Sequence, residues 1–167
     1  GKARYIGGGE ESYGFLPEDF VRDKDAVSAC AILAEIAAWA KDQGITMYQL
    51  LQNIYVQYGF SKEKGISVVK KGKSGAEEIE AMMKHFRENP LQKIAGSKVT
   101  LFYDYASLKG KDYVENETLT LDMPTTSNVL QYFTEDGTKV SIRPSGTEPK
   151  IKIYLSAKGD GQAASEE

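Results

Sequence analysis

One short stretch near the end of the chain, residues 143–150, constrains the fold more than any other. It reads Arg-Pro-Ser-Gly-Thr-Glu-Pro-Lys. Apolar and polar residues alternate before it at 139–142 and after it at 151–155, a pattern that predicts two strands joined by a loop rich in Gly and Pro. This loop would gather a guanidinium, an amine and two hydroxyl groups.

These groups are a set of donors suited to a phosphate. Arg143 can bind two phosphate oxygens in parallel, and Lys150 adds a point charge. Ser145 and Thr147 supply hydroxyl donors, and Gly146 lets backbone N–H groups approach an anion closely. The alternative interpretation is a tight turn whose hydroxyls bond locally to the backbone. Composition alone leaves both interpretations open.

The composition excludes several classes of protein. The chain has 167 residues, 41% hydrophobic and 27% charged, as expected for one ordinary globular domain or two small ones. A net charge of −3 offers no general field for nucleic acid or an anionic membrane. No apolar run is long enough to span a membrane, and no signal peptide opens the sequence. We therefore expect no nucleic-acid or membrane partner, and a cytoplasmic location.

The single cysteine and the single histidine give little indication of a catalytic or metal-binding site. Cys30 cannot form an internal disulfide, and its place in an apolar helical pattern predicts a small core residue. His85 has no cluster of partner ligands, so we expect it on a helix surface. The sequence predicts no metal site in this chain.

The first part of the chain predicts a loop and then a helix. Three consecutive glycines within 7–14 predict a flexible surface loop, preceded by a short strand at 3–6. From 26 to 40, apolar residues recur at the spacing of one helix face. Asp23 or Asp25 can cap this helix, which ends before a glycine. Its apolar face is expected to pack against a sheet or another helix.

A second helix and a domain boundary follow. Thr46 and Gln49 have the spacing of a capping box, and Gly59 follows the end of the helix. The charged segment 60–65 has no helical period, so we place a boundary there. The small, polar and acidic end of the chain predicts a disordered tail. The predicted divisions are 1–59, 60–158 and 159–167.

The second half predicts an α+β domain with a mostly antiparallel sheet and a helix on one face. Ser74 and Glu77 form a capping box for a helix at 75–88, whose inner face holds Ile, Met and Phe side chains. Asp136-Gly137 between alternating runs predicts a hairpin. Residues 109–112 are expected in a loop, and 114–122 stays ambiguous. Strands are predicted at 66–71, 99–105, 129–133, 139–143 and 151–157.

The loop at 143–150 resembles the phosphate-binding loop in the last domain of the α-D-phosphohexomutases, the phosphoglucomutase/phosphomannomutase family. Upstream, Gly-Glu-Glu-Ser-Tyr-Gly at 9–14 resembles the family's sugar-binding loop. With its aromatic residue after the serine, this motif is most similar to that of the phosphoglucomutase/phosphopentomutase branch. Arg-Asp-Lys-Asp at 22–25 resembles a third family segment, although Ala26 stands where many relatives have glycine.

The resemblance implies roles for individual residues. Glu10 and Ser12 would contact sugar hydroxyls, since a carboxylate accepts from hydroxyls and a Ser hydroxyl both donates and accepts. Lys24 would be a catalytic residue near the reacting groups; the alternative is an exposed charge before a helix. The phosphate that is not being transferred would be held by Arg143, Ser145, Gly146, Thr147 and Lys150.

The resemblance also implies what this chain lacks. It covers the chain to about residue 158 and corresponds to the helical end of a truncated α/β third domain plus the complete fourth domain. The family's catalytic phosphoserine loop and metal loop have no counterpart here. Family members are isomerases of carbohydrate metabolism that move phosphate between C1 and C6 of a hexose. They use Mg²⁺ and a glucose 1,6-bisphosphate intermediate.

The implied partners are a hexose phosphate and the missing N-terminal domains, and this chain alone is expected to be inactive. Two alternatives stay open: a free-standing, non-catalytic module that binds anions or sugar phosphates, and a purely structural α+β domain. The loops do not separate glucose, mannose and pentose phosphates.

Overall fold

A computed structural model describes residues 4–10, 14–18, 23–70, 72–146 and 148–159. The chain divides into two compact units, Gly1–Tyr58 and Gly59–Glu167, and each is described by itself. The predicted tail lies outside the described residues from 160 onward. Residues 4–6, which the sequence placed in a short strand, are not in a strand.

The first unit contains a hairpin and two helices. The hairpin pairs strand β1 (Gly8–Glu10) with antiparallel strand β2 (Gly14–Leu16) and sets Glu10 opposite Gly14. The helices are α1 (Ala26–Asp42) and α2 (Met47–Tyr58). The prediction of a flexible loop at 7–14 is therefore wrong for β1. Strand pairing uses backbone N–H and C=O groups, which glycine also has.

Local capping explains where both helices begin. The Asp25 side chain accepts from the N–H groups two and three residues on, at 3.1 and 2.8 Å, so Asp25 rather than Asp23 caps α1. The predicted capping box of α2 is confirmed. Thr46 Oγ1 accepts from Gln49 N–H at 3.1 Å, and Gln49 Oε1 accepts from Thr46 N–H at 2.8 Å. Gly44 follows α1 with φ +72°, a conformation that favours glycine.

The apolar face of α1 is not buried as predicted. Among the described residues of this unit, only Ala40 is buried. Leu33, on the predicted face, is 55% exposed. Cys30 is exposed, so its assignment to the core is wrong. Helical spacing predicts which residues share a face, but a covering layer must be supplied by tertiary structure, and the described part of this unit has only a short hairpin and α2 beside α1.

The second unit is an antiparallel sheet with one helix. The helix is α3 (Gly72–Glu88). The strands are β3 (Phe60–Val69), β4 (Lys93–Ile94), β5 (Ser97–Asp104), β6 (Lys109–Asp112), β7 (Glu117–Thr120), β8 (Leu130–Thr134), β9 (Lys139–Pro144) and β10 (Lys150–Gly159). The strand order is β3-β10-β9-β8-β5-β6-β7, with β4 paired to β5, and every described pair is antiparallel. The predicted α+β class and mostly antiparallel sheet are confirmed.

Three elements differ from the sequence prediction. Strand β3 begins at Phe60 because it pairs with β10 along its whole length, from Phe60 opposite Gly159 to Val69 opposite Lys150. Strand β6, predicted as a loop, is held between β5 and β7. Helix α3 begins before Ser74, so the predicted capping box there is wrong. Pairing with neighbouring strands, rather than local side-chain pattern, decides β3 and β6.

One hydrophobic core lies between α3 and the sheet. Ile79 and Met83 on α3 are buried as predicted, and Met82 and Phe86 are partly buried against the same core. The sheet contributes Val99, Phe102, Leu130, Tyr132, Val140, Ile142 and Ile151. His85 is exposed on the helix surface, as predicted.

Candidate functional site

The loop between β9 and β10 is closed by backbone hydrogen bonds. Ser145 N–H donates to Lys150 O at 2.8 Å, continuing the pairing of the two strands. Lys70 N–H, at the end of β3, donates to Pro149 O at 2.8 Å. The loop is therefore fixed at its base to both neighbouring strands, β9 and β3.

Inside the loop, Glu148 contacts both Ser145 and Lys150. Its N–H donates to Ser145 Oγ at 3.3 Å, and its C=O accepts from Lys150 N–H at 2.7 Å. Its carboxylate forms an ion pair with Lys150 Nζ. The hydrogen bond and charge of Lys150, followed by the charge of Lys152, hold the pKa of Glu148 below its usual value. Glu148 is therefore ionised at neutral pH.

Three cationic side chains share the sheet face that points away from α3. Ile142 and Ile151 are each 2% exposed and belong to the core. Because side chains alternate along a strand, Arg143 and Lys152 project from the other face. The register sets Arg143 directly opposite Lys152. Lys150, two residues before Lys152, lies on the same face.

Lys152 is a candidate site residue that the sequence reasoning missed. Its signal was available as a lysine two residues after Lys150 in an alternating run. Like charges directly opposite one another destabilise a sheet, so the Arg143–Lys152 pair is an arrangement that a bound anion would relieve. Lys152 Nζ also lies 5.7 Å from the centre of the Tyr154 ring.

The other predicted donors of the loop are placed as follows. Gly146 is exposed, and among the described residues other than its chain neighbours no atom lies within 4 Å of where a Cβ would project, so its backbone is open to approach. Ser145 is half-buried. Thr147 lies outside the described residues.

A cavity of about 800 Å³ lies beside the loop on the α3 side. Ser145, Gly146 and Glu148 line one wall, and Ile79 and Met83 of α3 are among the residues that line the rest. Arg143, Lys150 and Lys152 do not line it. The loop therefore has a partly apolar side facing the cavity and a cationic side facing away from α3.

A second polar cluster, also missed from the sequence, joins the end of α3 to β5. Asp104 is 5% exposed. Its carboxylate accepts from Arg87 Nε at 3.1 Å and from the Ser107 hydroxyl at 2.7 Å. Arg87 Nη2 also donates to Asn128 Oδ1 at 2.8 Å. Because the buried charge is paired and hydrogen-bonded, this cluster has a structural explanation.

The predicted sugar-binding residues Glu10 and Ser12 and the predicted catalytic residue Lys24 belong to the first unit. Lys24 lies beside the hairpin: a Cβ on Gly14 would be 2.8 Å from Lys24 Cβ. Because Gly14 is opposite Glu10, the backbone brings Glu10 and Lys24 into one neighbourhood. The Glu10 side chain and Ser12 lie outside what the structure describes. Lys24 is half-buried, and its N–H donates to Asp23 Oδ1 at 2.8 Å.

Two further findings concern the described residues only. No group of three or more His, Cys, Asp or Glu side chains among them could hold a metal ion. None of their helices is both long and apolar enough to cross a membrane.

Comparisons with known proteins agree with the motifs. Residues 66–167 match the phosphoglucomutase/phosphomannomutase C-terminal domain, and residues 2–58 match alpha/beta/alpha domain III of the same family. The chain is 42% identical over 149 residues to a phosphoglucomutase of Staphylococcus aureus strain MRSA252. It is 38% identical over 151 residues to that of Staphylococcus haemolyticus strain JCSC1435. These alignments cover 89% and 90% of this chain but 27% of each relative.

A solved structure shows the same fold. It is the open form of pp63/parafusin, an exocytosis-sensitive phosphoprotein and phosphoglucomutase from Paramecium. The match has a TM-score of 0.52 and 21% identity, and it covers 94% of this chain and 26% of that one. The two domain matches, in the same order as the two motifs, show that this chain belongs to the phosphoglucomutase/phosphomannomutase family and spans about a quarter of the length of its curated relatives.

Proposed function

We propose that this chain is the substrate-binding C-terminal part of a phosphohexomutase, and that its β9–β10 loop holds the phosphate that is not being transferred. The observation that carries the proposal is the set of three cations, Arg143, Lys150 and Lys152, on one sheet face beside the loop. A chain with net charge −3 concentrates positive charge here, where strand pairing alone would not favour it.

The chemistry of each group fits a phosphate dianion. The Arg143 guanidinium can bind two oxygens in parallel, and the lysine ammonium groups supply point charges. The Ser145 hydroxyl and the open backbone at Gly146 supply neutral donors. Thr147 would add a second hydroxyl. Such a site recognises the phosphate rather than the sugar, as required when either end of a bisphosphorylated sugar must be held in turn.

The first unit would bind the sugar. Glu10 and Ser12 would contact its hydroxyls, and near-symmetric hydroxyl groups would let one set of contacts accept two orientations. Lys24, next to the hairpin backbone, would balance charge or transfer a proton near the reacting groups. Transfer of a proton from the substrate to Lys24 would require a lowered pKa.

The rest of the reaction would take place with residues outside this chain. We infer a cytoplasmic isomerase that interconverts hexose 1-phosphate and hexose 6-phosphate, whose phosphoserine and Mg²⁺ sites lie in other domains. Mg²⁺ would neutralise charge on the transferring group. Among the described residues, no group of three or more His, Cys, Asp or Glu side chains could hold this ion. The divisions 1–59, 60–158 and 159–167 are proposed as the end of the third domain, the fourth domain and a tail.

The binding proposal is tested by titrating the chain with inorganic phosphate and with glucose 1-phosphate, followed by backbone amide NMR shifts. Both ligands should shift the amides of Ser145 and Gly146. Arg143→Ala should weaken binding by about tenfold or more, since a hydrogen bond to a charged group contributes about 1.5–3 kcal/mol. Lys93→Ala removes the same charge from β4 and should leave affinity unchanged. Equal affinities for all three proteins would contradict the proposal.

The catalytic proposal has a separate test. The chain alone should show no phosphoglucomutase turnover, and measurable turnover would contradict the assignment of the phosphoryl donor to other domains. The non-catalytic anion module predicts the same loop shifts with phosphate and with glucose 1-phosphate. Only a sugar site at the hairpin predicts additional shifts near Lys24 and Gly14 with the sugar phosphate.

A further inference from the structure

The acidic residue of the loop contacts both of the described side chains that would donate to phosphate from within it. Glu148 forms an ion pair with Lys150 Nζ, and its N–H donates to Ser145 Oγ. A residue placed only to shape the turn could use its backbone alone. Here the Glu148 carboxylate pairs with the Lys150 ammonium group, which the phosphate would need.

The Glu148–Lys150 ion pair is partly exposed to water. The Glu148 side chain is 59% exposed, and the Lys150 side chain is 25% exposed. Exposed ion pairs contribute little because water screens them and the side chains lose freedom on pairing. A phosphate dianion that also bonds Arg143 can therefore displace a single carboxylate at small cost.

The carboxylate also stays charged. The pKa of Glu148 is lowered by Lys150 and Lys152, so at neutral pH its negative charge remains beside any phosphate that enters. Its displacement leaves a like charge at the rim of the site, and like charges at such distances weaken binding.

We propose that Glu148 is a displaceable internal counter-ion of the phosphate loop, which occupies Lys150 while the site is empty and limits how tightly phosphate is held. The inference rests on the proposed function. It explains how a cationic site keeps its charges in place without a ligand. By weakening the binding of phosphate, Glu148 would also speed its release. An enzyme that turns a bisphosphorylated sugar around must release each phosphate repeatedly.

The test is the inorganic phosphate affinity of Glu148→Gln, measured by the same amide titration. Glutamine keeps the size of the side chain and an oxygen that accepts from Lys150, but it carries no charge. Glu148→Gln should bind phosphate about threefold more tightly at low salt, since a unit charge a few ångströms away in a largely aqueous medium has that effect. The gain should shrink as salt is raised.

Two controls separate the outcomes. Glu115→Gln makes the same charge change on an exposed residue between β6 and β7 and should leave affinity unchanged. In a Lys150→Met background, Glu148→Gln should have a smaller effect, because the part of the gain that comes from competition for Lys150 is lost and only the direct repulsion of phosphate remains. Unchanged or weaker binding in Glu148→Gln would overturn the inference, since Glu148 would then be shaping the loop. If Arg143→Ala binds phosphate like the wild type, the proposed function fails and this inference fails with it.

Discussion

The two units of the chain use similar amphipathic patterns with opposite results. In the first unit, α1 repeats apolar residues at helical spacing, yet Leu33 remains 55% exposed. In the second unit, α3 has the same kind of stripe, and Met83 is 2% exposed. The α3 stripe faces a sheet of its own unit that supplies Leu130 and Tyr132, each 0% exposed. The α1 stripe has no such sheet among the described residues.

The difference teaches that an amphipathic pattern specifies a face, whereas burial requires a second layer. The second unit has its own hydrophobic core and should account for most of the measurable stability of this chain. The first unit matches alpha/beta/alpha domain III at residues 2–58, and the chain spans 27% of its relatives. We propose that the exposed apolar side chains of α1 and α2 are covered by further parts of domain III in the longer relatives.

The largest expected effect compares one leucine from each unit. Leu130→Ala should lower the free energy of unfolding of the second unit by about 2–5 kcal/mol, because it leaves a cavity in a close-packed core. Leu33→Ala should change stability by no more than about 0.5 kcal/mol. Urea unfolding followed by resolved NMR signals of each unit measures both. Similar losses from the two variants would mean that the α1 face is covered after all.

A smaller effect is expected from removing the cation that pairs with the buried carboxylate of Asp104 in the second unit. Arg87→Met should cost about 1–3 kcal/mol, because Asp104 stays buried without its cation. Lys84→Met, one turn earlier and exposed, serves as the control. Adding Asp104→Leu should recover part of the loss in urea unfolding. No recovery would show that the cost of Arg87→Met has another source.

Glycine substitutions sharpen the comparison of packing with backbone strain. In Gly75→Ala, the new Cβ would lie 2.6 Å from the carbonyl carbon of Lys70, so α3 must move at a cost of about 1–3 kcal/mol. In Gly44→Ala, no atom of the described residues beyond the chain neighbours lies within 4 Å of the new Cβ. The backbone strain at φ +72° should therefore cost about 1–2 kcal/mol without any clash. Gly65→Ala has neither problem and is the neutral control.

Gly75→Ala has a second readout. Because Lys70 N–H donates to Pro149 O, the variant should also shift the amides of the β9–β10 loop, and Gly44→Ala should not. Loop shifts that stay at their wild-type positions in Gly75→Ala would indicate that the helix and the loop adjust independently.

The smallest effect concerns how the free energy of unfolding of each unit falls at acid pH. Hydrogen bonds from the Ser28 backbone and hydroxyl lower the pKa of Asp25, and the hydroxyl of Thr134 lowers that of Asp136. Their folded pKa values lie below the unfolded ones. The stabilisation is therefore complete above the unfolded pKa, about 3.9, and is lost as pH falls through the folded value.

The test replaces each carboxyl group by an amide. Asp136→Asn should flatten the pH dependence of unfolding of the second unit below about pH 5. Asp25→Asn should flatten only the pH dependence of unfolding of the first unit. An acid limb that is identical in wild type and Asp136→Asn would count against the role of this carboxylate.

Much of the local structure followed from short-range chemistry. The capping box at Thr46, the stripe of Ile79 and Met83, and the hairpin around Gly137 depend on residues within a few positions of one another. The family likewise followed from two motifs, because each motif gathers particular chemical groups close together in sequence. The order of the β9–β10 loop and its strands was predictable for the same reason.

Several of the exceptions depend on distant neighbours. The sequence predicted a core position for Cys30 and a loop for 109–112, since it could not show which faces are covered or which backbone groups find partners. It also could not show that Lys152 lies opposite Arg143, because register is set by pairing across the sheet. What the sequence determined by itself is the set of chemical groups and the local elements that carry them. Tertiary structure alone decided which of those groups share a face, because pairing and burial join residues that the chain keeps far apart.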